Sequence, residues 1–258
     1  MDIGKSLKRV HFLDSLLLNT PNRIEIMVMG AGGTGSRLVN NLARINMTLR
    51  GLGKTELAVT LYDDDIVENN NIGRQQFYNE DIGRNKADAI IERINYAYEL
   101  DWVSIPRKWC NKNILFDEIV EHEHCHIYIT CVDNIRTRKE LSDNFYRIKG
   151  EKGKYWMDIG NGKDYGQVIL SYHGNDKNCI AMRTLNDISD GQFNKMKDKK
   201  DDPSCSLAVS LGKQSLFINS ILAEYAGDML FRLLSDYSID YNGIFINLQN
   251  HEVNKILL

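Results

Sequence analysis

The feature that most constrains this chain is a glycine-rich turn between an apolar run and a segment with helical spacing of apolar residues. The run is Ile24–Met29, which has the length and character of a buried strand. The turn after it supplies four glycines: Gly30, Gly32, Gly33 and Gly35. Glycine lets backbone N–H groups approach a phosphate closely, and a helix N-terminus attracts negative charge. Strand, glycine turn and helix in this order therefore predict a nucleotide-binding turn, although many cofactor-binding folds share it.

A second apolar run, Leu57–Tyr62, is predicted to be the next parallel strand, and Asp63 follows it directly. In an open α/β sheet, a carboxylate at this strand end holds the ribose hydroxyls of a bound nucleotide. Aspartate also occurs in turns and at helix caps, but in this context a ribose contact is the better interpretation. The pattern predicts an α/β fold with a doubly wound, mostly parallel, Rossmann-like sheet.

Two cations downstream of Asp63 favour a triphosphate over a nicotinamide ring. Arg74 and Lys86 lie a dozen residues apart, and Lys86 is predicted to lie in the first turn of a helix. Arg74 could instead pair with a nearby acid, and Lys86 could be a solvated surface lysine. The helix dipole disfavours a cation in a first turn, so an anionic ligand explains Lys86 better.

Together these segments resemble the ThiF/MoeB/HesA family. The resemblance is carried by GAGGTGS, DDDIVENNNIGRQ, IGRNK and the later CVDN, and it is strongest over residues 23–160. Such proteins are bacterial relatives of ubiquitin-activating enzymes, which use ATP to adenylate the C-terminal carboxylate of a ubiquitin-like (β-grasp) protein. The segments DDPSCSLA and GIFINL are most similar to the ThiF proteins of the PRTRC plasmid-associated gene system. That subgroup implies a ubiquitin-like partner and a conjugating-enzyme-like partner.

The resemblance implies a role for each candidate site residue. Arg74 and Lys86 would stabilise the charge that develops on the phosphate oxygens and on departing pyrophosphate. Asp133 would hold Mg²⁺, although an aspartate at this position also suits a helix cap. Arg138 follows closely and is predicted to lie on a solvated helix face. Asp63, Asp65, Asn71 and Gln75 are implied to contact the nucleotide as well. Of these, Asn71 and Gln75 would also orient Arg74 and Lys86.

Cys205 stands where a charged, aperiodic stretch gives way to a predicted long helix. In the family, a cysteine of this crossover carries a thioester or persulfide in some members and is idle in others. A helix N-terminus lowers the pKa of a thiol, so Cys205 fits an acceptor of the activated partner. A small buried residue beside a Ser204 cap fits equally well, and the sequence leaves both interpretations open.

Composition argues against several other classes of protein. The net charge of −3 gives no electrostatic basis for binding nucleic acid. No run reaches the roughly 18 apolar residues of a membrane span, and the N-terminus lacks a signal-peptide pattern. The five cysteines lack C-x-x-C spacing, which predicts neither a disulfide framework nor the zinc site of many family members. We therefore expect a cytoplasmic protein without a nucleic-acid or membrane partner, and the resemblance implies an enzyme that uses ATP and Mg²⁺ and forms a homodimer.

The chain has no linker or internal repeat, so residues 1–258 are predicted to form one ThiF-like domain. An amphipathic helix is predicted for residues 1–22, followed by the nucleotide-binding core over 23–160. The remainder, 161–258, is predicted to contain antiparallel strands, one of them at 179–182, a crossover loop, a long helix over 206–234 and a terminal hairpin.

Two other functions fit parts of the pattern. An NAD-dependent oxidoreductase shares the glycine turn and Asp63, but it leaves Arg74, Lys86 and Asp133 unexplained. A non-catalytic scaffold would keep the ThiF-like fold and recruit partners without exchanging pyrophosphate.

Overall fold

The computed structural model describes residues 9–109, 125–133, 135–145, 153–195 and 215–258. Most of its regular structure belongs to one large sheet with helices packed on both faces. The strands are β1 (His11–Phe12), β2 (Ile24–Met29), β3 (Leu57–Tyr62), β4 (Val103–Ile105), β5 (Ile127–Thr130), β6 (Lys154–Asn161), β7 (Tyr165–His173), β8 (Ser238–Ile239), β9 (Tyr241–Asn247) and β10 (Glu252–Leu257). The α-helices are α1 (Ser15–Leu18), α2 (Gly35–Gly51), α3 (Lys86–Tyr98), α4 (Ile135–Phe145), α5 (Leu185–Ile188) and α6 (Ile218–Ser235).

The large sheet has eight strands in the order β10-β9-β7-β6-β5-β2-β3-β4. The strands from β6 to β4 pair in parallel, whereas β7, β9 and β10 extend the sheet with antiparallel pairs. β2 lies in the middle, so Val28 pairs with Leu61 on one side and with Ile129 on the other. This arrangement confirms the predicted doubly wound, mostly parallel sheet with an antiparallel C-terminal extension.

The core has two layers because neighbouring residues of a strand point to opposite faces of the sheet. Ile26 and Val28 pack with α2, α3 and α6 on one face. Met27 and Met29 pack on the other face, against Tyr62, Trp109, Tyr128 and α4. Burying both faces explains why the central strands are continuously apolar. None of the described helices has the length and hydropathy that crossing a bilayer requires.

The predicted helix over residues 1–22 is wrong for the part of it that the structure describes. β1 pairs with β8, so His11 lies opposite Ile239, and only one helical turn follows. The Asp14 side chain starts that turn by accepting from Leu16 N at 2.8 Å. His11 is buried, and its Nε2 lies 2.9 Å from the hydroxyl of Tyr155. These tertiary contacts override the weak helical pattern of the segment.

Two predictions in the C-terminal half also need correction. Residues 179–182 do not form a strand, since their pairing is a single bridge between Tyr172 and Met182. The long helix begins at Ile218 within the described range, after a turn over residues 215–217, and its predicted first residues lie outside that range. The terminal hairpin is confirmed by the antiparallel pairing of β9 with β10.

Candidate functional site

A pocket of about 400 Å³ opens at the carboxyl ends of β2, β3 and β5. The glycine turn, the loop after β3, the start of α3 and the segment after β5 all contribute to its lining. The predicted site residues among that lining are Gly30, Gly32, Gly33, Asp63, Asp65, Arg74, Gln75, Lys86 and Asp133. Gly35 and Asn71 support the site from outside the lining, and Cys205 lies outside the described residues.

The glycine turn needs its glycines for different reasons. Gly30 has φ +97°, a left-handed conformation that side chains rarely adopt. A Cβ at Gly35, the first residue of α2, would lie 1.8 Å from Gly30 O. A Cβ at Gly33 would lie 2.6 Å from Nδ2 of Asn219. A Cβ at Gly32 would have no protein atom within 4 Å, so the space beside this glycine is open to a ligand.

Asp63 is held by the turn that it faces. Its Oδ2 accepts from Ala31 N at 2.6 Å, and its Oδ1 accepts from Asp65 N at 2.8 Å. Burial raises the pKa of Asp63, while these two backbone bonds and the nearby charge of Lys86 oppose the rise. Each carboxylate oxygen retains a lone pair, so the group can still accept a ribose hydroxyl.

Lys86 is the first residue of α3, as the sequence predicted for a first-turn position. The helix begins there because the Asn85 side chain accepts from two backbone N–H groups of the first turn. The Lys86 side chain is only 8% exposed, and its Nζ lies 2.7 Å from Oδ2 of Asp65, which is 62% exposed. A buried ammonium at the positive end of a helix is unfavourable by itself, so the site is suited to an additional anion.

Arg74 follows a tight turn at Gly73, which has φ +83°. Burial lowers the pKa of Arg74, so its guanidinium stands in a partly dehydrated part of the pocket. Asn71 fixes this loop: its side chain accepts from Glu68 N at 2.8 Å, and its backbone O accepts from Arg74 N and Gln75 N. Oε1 of Gln75 is buried without a hydrogen-bond partner among the described residues, and a donor on a ligand would satisfy it.

Carboxylates border the pocket on the side of the β3 loop and after β5. Ligand oxygens of Asp63, Asp64 and Asp65 lie within 4.8 Å of one another. Asp133 is exposed and lines the same pocket from the β5 side. Mg²⁺ binds through one or two carboxylates together with waters and phosphate oxygens, so this donor set fits the ion.

Arg138 does not lie on a solvated face, contrary to the sequence-based expectation. It is 7% exposed and clamps the fully buried Asp158, with Nε–Oδ1 at 2.8 Å and Nη2–Oδ2 at 2.5 Å. Thr130 Oγ1 also donates to Asp158 at 2.8 Å. The helical spacing around Arg138 cannot reveal this contact, because the carboxylate belongs to Asp158, 20 positions later in the chain. Arg138 lines a second pocket, whereas its neighbour Thr137 lines the first.

Several residues of the pocket lining were not predicted from the sequence. Thr34 Oγ1 donates to Oδ1 of Asn219 at 2.9 Å instead of capping α2, and Asn161 donates to the same oxygen at 3.2 Å. Lys108 and Trp109 enter from the segment after β4. That segment could have been suspected, because the carboxyl ends of parallel strands share one edge of the sheet. No local signal marks the two asparagines, which are far away along the chain.

A model of the ThiF family matches residues 8–256. The chain belongs to the ThiF family. Its fold is similar to that of E. coli MccB in a complex with MccA-N7isoASN, with a TM-score of 0.60 and 16% identity over 94% of this chain and 65% of MccB. It is also similar to PaaA, with a TM-score of 0.62 and 18% identity over 94% of this chain and 74% of PaaA.

One curated relative adds sequence similarity to this ThiF family protein. The ATP-dependent ubiquitin transferase-like protein Cap2 of Enterobacter hormaechei subsp. hoffmannii (strain UCI 50) is 30% identical over 71 residues, which are 28% of this chain and 10% of Cap2. The chain therefore spans about a tenth of Cap2 and just under two thirds of MccB. Membership of the PRTRC subgroup stays a prediction.

Proposed function

We propose that this protein uses ATP to adenylate the C-terminal carboxylate of a ubiquitin-like (β-grasp) protein and releases pyrophosphate. The observation that carries the proposal is that one pocket joins the glycine turn to Asp63, Arg74, Lys86 and Asp133. Family membership supports it, as do the names of relatives: MccB has been solved with ATP, and Cap2 is described as ATP-dependent and ubiquitin transferase-like.

The nucleotide would lie across the strand ends with its phosphates at the start of α2. The Thr34 side chain makes no capping bond to this helix, and the N–H groups of Ser36 and Arg37 donate to backbone carbonyls of the turn instead. The helix dipole and the open space at Gly32 both suit an anion there. Asp63 stands beside the turn and would accept the ribose hydroxyls.

The two cations would then act on the reacting phosphate. In the proposed step, a carboxylate oxygen of the partner forms a bond to the α-phosphorus, and the bond from that phosphorus to the pyrophosphate oxygen breaks. Arg74 keeps its charge at any physiological pH, and Lys86 can exchange its well-solvated partner Asp65 for a phosphate oxygen. Fixed charges in a partly dehydrated pocket stabilise the developing negative charge more than they stabilise the ground state.

Magnesium is part of the proposal because the acidic border fits it. The ion supplies charge neutralisation to the phosphates when it is bound. Asp133 is the residue proposed to hold it, and Asp64 and Asp65, next to the ribose-binding Asp63, are the other described carboxylates that could contribute. The exposure of Asp64 and Asp65 leaves room for the waters that Mg²⁺ retains.

The body of the partner would bind on the antiparallel half of the sheet. A second pocket of about 790 Å³ lies there, and its apolar lining comes from β7, α5, β9 and β10. Tyr165 and Phe245 extend this face, with ring centroids 6.3 Å apart and both rings substantially exposed. Arg138, which is paired with Asp158, lines this second pocket, and the preceding residue, Thr137, lines the nucleotide pocket. A flexible C-terminal tail could pass that point to reach the phosphates.

A thiol could receive the activated partner after adenylation. Cys131 lines the nucleotide pocket, but burial and the charge of Asp158 raise its pKa, so its reactive thiolate form is disfavoured. Cys205, the cysteine to which the family resemblance gives this role, is the proposed acceptor. We expect Cys205→Ala to continue exchanging pyrophosphate while it loses a reducible conjugate with the partner, as judged on non-reducing gels. An unchanged conjugate in this variant would remove Cys205 from the proposal.

ATP–pyrophosphate exchange with candidate β-grasp proteins tests the function. We expect exchange with a partner that ends in a flexible, glycine-terminated tail and none when its terminal carboxylate is converted to an amide. Asp63→Asn should weaken MgATP binding in the same preparation. Absence of exchange with every partner, despite MgATP binding, would instead support a scaffold. Binding of NADH in preference to MgATP would support an oxidoreductase.

A further inference from the structure

The tryptophans of this protein differ in what their indole N–H groups contact. The chain has three, and all of them are at most 4% exposed. Trp102 Nε1 donates to Leu57 O at 3.1 Å, and Trp156 Nε1 donates to Thr130 Oγ1 at 3.0 Å. Nε1 of Trp109 is buried and has no hydrogen-bond partner among the described residues. A buried donor without an acceptor is unfavourable, so an acceptor from outside the described chain would stabilise this N–H.

Trp109 lies at the edge of the nucleotide pocket. Trp109 is 4% exposed and belongs to the same buried cluster as Met29 and Tyr62, and all three residues line the nucleotide pocket. Because Nε1 itself is buried, a ligand in this pocket can supply the acceptor once a neighbouring side chain moves aside. Tyr62 and Met29 add apolar surface beside it, which suits a flat aromatic ligand.

The order of the strands indicates which part of a nucleotide reaches Trp109. β2, β3 and β4 are successive neighbours in the sheet. The glycine turn follows β2 and suits phosphates, Asp63 follows β3 and suits a ribose, and Trp109 comes shortly after β4. A nucleotide that lies across these strand ends in this order brings its base to Trp109.

We infer that Trp109 recognises the purine base, with its Nε1–H donating to an unprotonated ring nitrogen. An indole nitrogen can only donate, and N1, N3 and N7 of adenine can only accept. A bond to N1 selects adenine against guanine, whose N1 carries a proton, whereas a bond to N3 or N7 accepts both bases. This inference rests on the proposed function for the identity of the nucleotide as ATP, and it assigns a base-recognising residue to that site.

Calorimetric titration with ATP and with 1-deaza-, 3-deaza- and 7-deaza-ATP tests the inference. We expect wild-type protein to bind one of the three analogues about tenfold more weakly than ATP, since a single hydrogen bond is lost. Trp109→Phe should bind ATP and that analogue equally well. If Trp109→Phe keeps the wild-type ratio of affinities, or if no analogue binds more weakly than ATP, the inference is wrong. Trp102→Phe, which loses an indole donor outside the pocket, should keep the wild-type ratio.

A second measurement needs no stable Trp109 variant. The indole ¹⁵N–¹H resonances of Trp102 and Trp156 can be assigned from the Phe variants of those residues, which leaves the third resonance to Trp109. ATP should shift this third resonance markedly more than the other two. If ATP binds and the Trp109 resonance does not move, this inference alone is refuted. If ATP does not bind the wild-type protein at all, the proposed function fails with it.

Discussion

Replacing Lys86 with methionine separates a catalytic role from a structural one. Methionine keeps most of the length and apolar volume of the lysine side chain and removes only its charge. Lys86 is 8% exposed and pairs with Asp65 at 2.7 Å, at the first position of α3. If the lysine were there for stability, removing its charge would destabilise the fold. If it acts on a phosphate, activity should fall and stability should not.

The contacts of Lys86 give the expected size of each effect. Asp65 is 62% exposed, so loss of its partner returns the carboxylate to water and costs at most about 1 kcal/mol. Removing a cation from a helix N-terminus recovers about 0.3–1 kcal/mol. The stability of Lys86→Met should therefore stay within about 1 kcal/mol of wild type. Loss of one preorganised charge from the transition state should lower the exchange rate about 10²- to 10³-fold, or about 2.7–4 kcal/mol.

Urea unfolding and ATP–pyrophosphate exchange measure the two quantities on the same preparation. Lys108→Met is the matched control, because Lys108 lines the same pocket but is 72% exposed and lies 3.6 Å from Asp64. We expect this control to lose less than about tenfold in rate, because its charge is screened by water. Exchange within threefold of wild type for Lys86→Met, or a loss of several kcal/mol in its stability, would refute the reasoning.

Three further predictions concern a buried ion pair, a buried histidine of the N-terminal segment and the glycine turn. Arg138→Met should lower the free energy of unfolding by about 3–5 kcal/mol in urea titrations, because it leaves the charge of Asp158 buried without its partner. Adding Asp158→Leu to this variant should recover most of the lost stability. An equally low stability of the double variant would contradict this. Burial lowers the pKa of His11, so below about pH 6.5 the unfolded chain binds more protons than the folded chain does. The free energy of unfolding therefore decreases as the pH falls, and His11 contributes at most about 1.4 kcal/mol per pH unit to that decrease. His11→Gln should reduce that pH dependence between about pH 7 and 5, and an unchanged dependence would exclude His11 as its source. Gly35→Ala should lower the stability measured by thermal unfolding by at least about 1–3 kcal/mol, because its Cβ would lie 1.8 Å from Gly30 O. Gly32→Ala should fold with wild-type stability and weaken ATP binding, because its Cβ would occupy open space in the pocket. A Gly32→Ala variant less stable than Gly35→Ala would be inconsistent with the turn geometry.

Local sequence patterns were sufficient for the sheet and for much of the lining of the pocket. Asp63 and Asp133 each follow an apolar run, and the carboxyl ends of parallel strands share one edge. Arg74 and Lys86 reach the same pocket because the long segment between β3 and α3, residues 63–85, is folded back by its own backbone hydrogen bonds. The roles assigned to these residues stay predictions, since placement in a pocket does not measure chemistry.

The remaining features depend on contacts between distant parts of the chain. Asn219 lies in the first turn of α6 and meets Thr34 across 185 positions, a contact that neither local sequence reveals. Arg138 is buried only because Asp158 comes beside it from β6. The N-terminal segment follows the same principle: the burial of His11 beside Tyr155 overrides the helical spacing of its leucines. Propensity is a weak guide where tertiary contacts decide.

The most direct test of acyl activation is mass spectrometry of a β-grasp partner after incubation with this protein, MgATP and pyrophosphatase. Adenylation predicts an AMP adduct on the C-terminal carboxylate of the partner and two inorganic phosphates per adduct, because pyrophosphatase hydrolyses the released pyrophosphate. Lys86→Met should form the adduct at least about a hundredfold more slowly. An unmodified partner, under conditions in which ATP is bound and partner and protein associate, would contradict the account.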